Sequence, residues 1–218
     1  MLRARAVLVG TSTYTRGLSQ LDWSESNVND LHDALVEDFD PGGVHVLVDP
    51  PDAQLVLNRL EMCVASSADL VLFYYTGHGL RDEADRLCLA LPGSVDKPQH
   101  ARNTSLPVDS VFEILQRPSH QRRVVILDCC YSGLAMDAPA AADLHLLTAT
   151  SRKRKAAYRK EDRHTEFTGE LLRLLGDTPG PLDLGTAYRH LDKALGGRGL
   201  PRPQQRCVNH SADFVLRP

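Results

Sequence analysis

Short aliphatic runs alternate with longer amphipathic stretches along this chain. Ala6–Val9 is an apolar run that closes on Gly10 and reads as a buried strand. After a polar, turn-rich stretch, Asn27–Phe39 places Val28, Leu31, Leu35 and Val36 at helical spacing, with Ser24 or Ser26 as N-cap. Asp40-Pro-Gly-Gly43 breaks that helix, and Val44–Val48 predicts a second strand. Pro51 suits the first turn of a helix that runs to about Ser66. Asp69–Tyr75 is apolar and aromatic along its length, the pattern of a strand covered on both faces. Leu87–Leu91 reads as a short strand, followed by a Pro/Gly-rich loop to about Leu106. A helix over Asp109–Gln116 and apolar strands over Val124–Asp128 and Leu144–Thr150 follow. Helices near Glu166–Leu175 and Leu182–Leu195 and a short strand over Asp213–Leu216 complete the chain.

Strands and helices in alternation predict an α/β fold: a mostly parallel central sheet with helices on both faces, three layers in all. The 218 residues fit one domain over 1–218. A chain of this size buries roughly 70–75% of its unfolded surface, so the core needs neither disulfides nor metal. A net charge of −3 argues against a polybasic coat for nucleic acid or membranes. That average hides one local imbalance. Arg152–Arg163 holds seven basic and two acidic residues, a local +5 that leaves −8 on the rest. With no interleaved aromatic beyond Tyr158, this stretch does not make nucleic acid an expected partner. The basic N-terminus has an apolar stretch of about five residues, against the ~7–15 of a secretory signal. The longest apolar run, Leu70–Tyr75, is far short of the ~20 residues of a spanning helix. A soluble, cytoplasmic protein is the expectation, and the sequons at Asn103 and Asn209 then carry no meaning.

The five cysteines (Cys63, Cys88, Cys129, Cys130, Cys207) form no C-x-x-C pair, so neither a zinc site nor a disulfide framework is indicated. Two of them are adjacent, in Asp128-Cys-Cys-Tyr-Ser-Gly133, at the end of a predicted central strand. Tyr75-Thr-Gly-His78-Gly79 ends the other one. Open parallel sheets form sites beyond the carboxyl ends of their strands, so neighbouring strands would place His78 and Cys130 in one crevice. Free cysteine is only a few per cent thiolate near neutrality; an imidazole that accepts its proton makes it a nucleophile and later protonates the leaving amine. Backbone N–H groups at Gly79 and Cys130 would hold the oxyanion. Asp128 at the same strand end would attract a cation entering the crevice. No third glycine, phosphate-loop Lys or G-x-S-x-G elbow supports a dinucleotide, nucleotide or serine-hydrolase site.

Tyr-Tyr-Thr-Gly-His-Gly and Asp-Cys-Cys-Tyr-Ser-Gly resemble the signature blocks of caspase-like cysteine peptidases, and the histidine lies 52 residues before the cysteine. The cysteine block is closer to the metacaspase form Asp-x-Cys-x-Ser-Gly than to the Gln-Ala-Cys of animal caspases. The resemblance also takes in the opening strand, the Asn-Asp pair of the first helix and the Phe167-Thr-Gly-Glu-Leu block. It is strongest to compact bacterial domains, some encoded beside defence or signalling modules. It implies Cys130 as nucleophile, His78 as base and Cys129 as a buried neighbour. It implies a pocket for Arg, then Lys, built from Asp30, Thr76 and Asp128, since no arginines are placed to hold a substrate aspartate. It divides the chain into a large-subunit-like part (1–150), a basic loop (151–165) and a small-subunit-like part (166–218). Arg152, Lys153, Arg154, Lys155, Arg159, Lys160 and Arg163 become candidate processing positions. The implied partners are a protein substrate with an exposed Arg or Lys and a regulatory or sensor protein. No cofactor is expected; many metacaspases need calcium, but no EF-hand loop is present. A catalytically silent scaffold of the same fold and a nucleotide-binding α/β module are the competing classes.

Overall fold

The computed structural model of the chain describes residues 3–117, 120–141, 143–151 and 163–217. Five parallel strands form the centre of the sheet: β1 (Ala4–Gly10), β2 (Val44–Val48), β3 (Leu70–Gly77), β7 (Arg122–Cys129) and β8 (His145–Thr148). A sixth, β10 (Gln204–Arg206), joins β8 antiparallel, giving the order β10-β8-β7-β3-β1-β2. All eight residues of β3 are buried, as its unbroken apolar sequence predicts. Alternation then divides them. Val71, Phe73 and Tyr75 enter a core with α2 (Ala53–Val64) and α4 (Val108–Leu115). Leu70, Leu72 and Tyr74 enter a second core with α1 (Trp23–Leu35), α5 (Glu166–Asp177) and α6 (Leu184–Gly197). The three-layer α/β architecture follows from that division.

Local chemistry moves several boundaries from their expected places. The first helix begins earlier, at Trp23 behind Asp22, and neither serine caps it. Pro51 lies ahead of α2, whose cap is Asp52, accepting from the Leu55 N–H at 2.9 Å. The expected loop before Leu106 holds a short helix, α3 (Pro98–Thr104); only Ala101 is buried on it, so it has no apolar period to read. The polar Gln204–Arg206 forms an edge strand because β8 presents its open side there, not because its composition favours one. Leu182–Asp183 is strand β9 rather than helix, paired with β11 (Val215–Arg217). Immediately after β3 the chain enters a small antiparallel sheet of β4 (Gly79–Arg81), β5 (Leu87–Leu89) and β6 (Leu106–Pro107). His78 is the single residue between the two sheets.

Candidate active site

The backbone holds His78 at three points. Its N–H donates to Tyr14 Oη at 3.0 Å, and its carbonyl accepts from the Ala90 N–H and from Tyr75 Oη, both at 2.9 Å. These hydroxyls leave no room for a side chain at the preceding position. A Cβ on Gly77, whose φ is +153°, would lie 2.5 Å from Tyr75 Oη and 2.9 Å from Tyr14 Oη. The imidazole stands 4.9 Å from the Tyr14 ring, and its Nε2 lies 3.0 Å from the Ser19 carbonyl oxygen and 3.2 Å from Ser19 Oγ. A carbonyl only accepts, so this contact places a proton on Nε2 and leaves Nδ1 as the basic nitrogen of the neutral ring.

Cys130 follows β7 as His78 follows β3. The parallel register sets Gly77 across from Cys129, so His78 and Cys130 leave the sheet side by side. Gly79 packs directly on Cys130: a Cβ built there would fall on the Cys130 carbonyl oxygen. The two thiols differ sharply. Cys129 is fully buried, and burial pushes its pKa well above the ordinary cysteine value, whereas Cys130 is partly exposed. Tyr131 turns the chain with a left-handed φ of 58°, under the guanidinium of Arg81 at 5.1 Å from its ring centroid. The following residue, Ser132, fixes this turn to the end of β8 by accepting from the Thr150 N–H at 3.1 Å. His78, Gly79 and Cys130 line one cleft of about 660 Å³, with Leu18, Trp23 and Arg81 among its walls.

The residues expected to bind a substrate cation are gathered elsewhere. The Asn27 amide donates to Thr76 Oγ1 at 3.0 Å and to Thr165 Oγ1 at 3.2 Å. Thr165 in turn donates to Asp128, and Thr168 Oγ1 donates to the same carboxylate oxygen at 2.6 Å. Asp128 is fully buried, its pKa pushed up to about 6 by burial, and its Oδ1 has no partner among the described residues. Asp30, one turn along α1 from Asn27, takes a bidentate fork from Arg163 (both contacts 2.7 Å) and a contact from His164 Nε2 at 2.6 Å. The Arg163 fork, more than any other contact, lowers its pKa.

Thr76, Asp128 and Asp30 therefore form one polar neighbourhood, filled by residues 163–165. They do not line the cleft of His78 and Cys130. The cause is strand parity: Asp128 shares the α1/α5 face with Val124 and Ile126, whereas Cys130 stands beyond the strand end. Asp128 thus sits apart from the lining of that cleft, with its Oδ2 met by Thr165 and Thr168. Asn27, Thr165 and the Ser19 carbonyl belong to the site but were not among the sequence candidates. Of the basic-loop candidates, Arg152, Lys153, Arg154, Lys155, Arg159 and Lys160 lie outside the described residues, and Arg163 is the one seen. Among the described residues no three His, Cys, Asp or Glu side chains converge to hold a metal ion, and no helix is long and apolar enough to cross a membrane.

A protein from Geobacter sulfurreducens has the same fold, with a TM-score of 0.73 at 15% identity over 99% of this chain and 98% of the other. Caspase-1 from Spodoptera frugiperda gives 0.68 at 13% identity over 94% and 88%. No curated protein matches the sequence. A family model described as the caspase domain matches residues 3–215, which include both strands that deliver His78 and Cys130. On that match the chain belongs to the caspase domain family, with the fold of its cysteine peptidases.

Proposed function

We propose that the chain is a cysteine endopeptidase in which Cys130 is the nucleophile and His78 the base, with a preference for Arg and then Lys before the scissile bond. The observation that carries this reading is the β3/β7 register, which puts the two residues at the mouth of one cleft. His78 Nδ1 takes the Cys130 proton, and the thiolate adds to the substrate carbonyl. The backbone N–H groups of Gly79 and Cys130 stabilise the oxyanion, a contribution of about 10²–10³ in rate per donor. The imidazolium then protonates the departing amine, leaving a thioester. Water deprotonated by the same ring hydrolyses it and restores the thiol. The Ser19 carbonyl keeps Nε2–H in place throughout.

The basic preference is supported by Asp30, which already holds an arginine fork, and by Asp128, a buried carboxylate whose Oδ1 has no partner among the described residues. In this reading Arg163 occupies the place of the substrate arginine. Displacement or cutting of the loop before it, by the enzyme itself or through a regulatory partner, opens the pocket to a protein substrate with an exposed Arg or Lys.

Peptides that differ only in the residue before the scissile bond test both parts. Cleavage after Arg exceeding Lys, with none after Asp, is the expected order; preference for Asp overturns the specificity. Cys130→Ala and His78→Ala should each lower kcat/KM by about 10³-fold or more. Full activity in Cys130→Ala removes the mechanism. No turnover together with no labelling of Cys130 by an arginyl chloromethylketone would identify a silent scaffold instead.

A further inference from the structure

At the end of the sheet remote from the cleft lies a buried cation with no counter-charge among the described residues. Arg123, the second residue of β7, is only 8% exposed. Among the described residues its Nε and Nη2 have no hydrogen-bond partner and no ion pair reaches it. Burial lowers its pKa, with no charged neighbour contributing. Withdrawing two of a guanidinium's nitrogens from water with nothing to receive their N–H groups is costly.

The side chain does not lie in a solid core. It borders a cavity of about 530 Å³ formed by the end of α4 with Leu115 and Arg117, by Gln121, and by the turn that carries His210 and Phe214. Several polar groups here are already engaged. Gln121 Nε2 donates to the Ser66 carbonyl at 3.0 Å, and Ser211 Oγ meets the Val208 N–H at 2.9 Å and His145 Nδ1 at 3.0 Å. Arg117 is paired with Glu61 at 2.5 Å, and His210 with Asp213 at 3.9 Å. Asp143 is the one acid among the described lining residues; it is exposed and forms no ion pair with Arg123.

We propose that this cavity binds a small anionic molecule whose phosphate or carboxylate pairs with Arg123 and whose apolar part rests on Leu115 and Phe214. A guanidinium attracts either oxyanion, and the cavity falls within the range of roughly 300–1,000 Å³ typical of small-molecule sites. The proposal does not depend on the peptidase reading.

Thermal denaturation and titration calorimetry of the full chain test it, in phosphate-free buffer at constant ionic strength. The probes are inorganic phosphate, adenosine monophosphate and benzoate. At least one should bind at one site per chain and raise the wild-type midpoint by about 3–6 °C at ten times its Kd. A response to the two phosphates alone assigns a phosphorylated ligand; a response to benzoate alone assigns a carboxylate. Arg123→Met should abolish the rise and, having lost an unpaired buried charge, melt no lower than wild type without anion. The proposal is overturned if no probe shifts the wild type, if the shift survives in Arg123→Met, or if that variant melts lower or fails to fold.

Discussion

A methyl group at position 79 would be enough to part the two halves of the site. Gly79 meets the Cys130 carbonyl backbone to backbone, and neither partner has a flexible end that could yield. Gly79→Ala should therefore separate the His78 loop from the Cys130 loop. Misplacement of reacting groups by ~1 Å can cost about 10²-fold, so kcat/KM should fall by at least that factor. Overpacking costs about 1–3 kcal/mol, a fall of several degrees in midpoint. Gly93→Ala is the control, because nothing lies within 4 Å of a Cβ there. Equal kinetics for the two variants would show that the close approach does not position the site. His78 and Cys130 were legible in the sequence because each follows a strand with an unbroken apolar run, beside glycine or cysteine at its end. Ser19 was not, because it contributes a carbonyl, which every residue has. Asp128 was legible as an acid at a strand end but not as a closed one; its face follows from parity with Val124 and Ile126, and its cover comes from Thr165 and Thr168.

At the scale of elements, β1, β2, β3, β7 and β8 were readable because burial on both faces demands continuous apolar sequence. α3 and β10 were not, since a seven-residue polar helix and a Gln-Gln-Arg edge strand owe their form to what they pack against. The contact between α1 and the residues leading into α5 belongs to this second kind. Asp30 and Arg163 are 133 positions apart, and only the fold reveals that they meet. The pair is exposed and screened by solvent, so it adds little to stability. Arg163→Ala should therefore leave the melting midpoint within a few degrees of wild type. If Arg163 stands in the substrate's place, the same variant lowers KM for arginyl peptides with kcat unchanged, while Asp30→Asn raises it. A KM that stays constant in both variants would separate Asp30 from substrate binding. Intact-mass comparison of wild type and Cys130→Ala, with and without calcium, reports whether the loop ending at Arg163 is self-processed; identical masses would count against it.

Across the whole molecule, two buried titratable groups on adjacent strands oppose each other in acid. Asp128 on β7 has its pKa raised to about 6 by burial, from an ordinary 3.8. As pH rises from about 4 to about 6 the unfolded chain gives up this proton first, so the group's contribution falls across that window and stays low above it. His145 on β8 has its pKa lowered to about 4 from 6.5, again by burial. Its neutral ring ties β8 to the C-terminal segment through Ser211 Oγ at 3.0 Å and Gln205 Nε2 at 3.1 Å. As pH falls from 6.5 toward 4 the unfolded chain takes this proton first, so stability is lost on acidification. The windows overlap and the signs oppose, so the two groups largely cancel between about pH 4 and 6 and the wild-type profile is shallow there. Removing one group exposes the other. Asp128→Asn should melt progressively lower as pH falls from 7 to 4, and His145→Gln progressively lower as pH rises from 4 to 6. Each slope should total about 1–3 kcal/mol, or several degrees, with the double variant keeping the shallower loss on acidification that the lowered pKa of His45 imposes. Circular dichroism melts at half-unit pH steps would show this, and single variants that keep the wild-type profile would sink it. The same carboxylate links stability to function. Above pH 6 Asp128 is ionised, with its Oδ1 unpartnered among the described residues, so an arginyl inhibitor that reaches it should stabilise the wild type more at pH 7.5 than at pH 5. In Asp128→Asn that pH dependence should vanish.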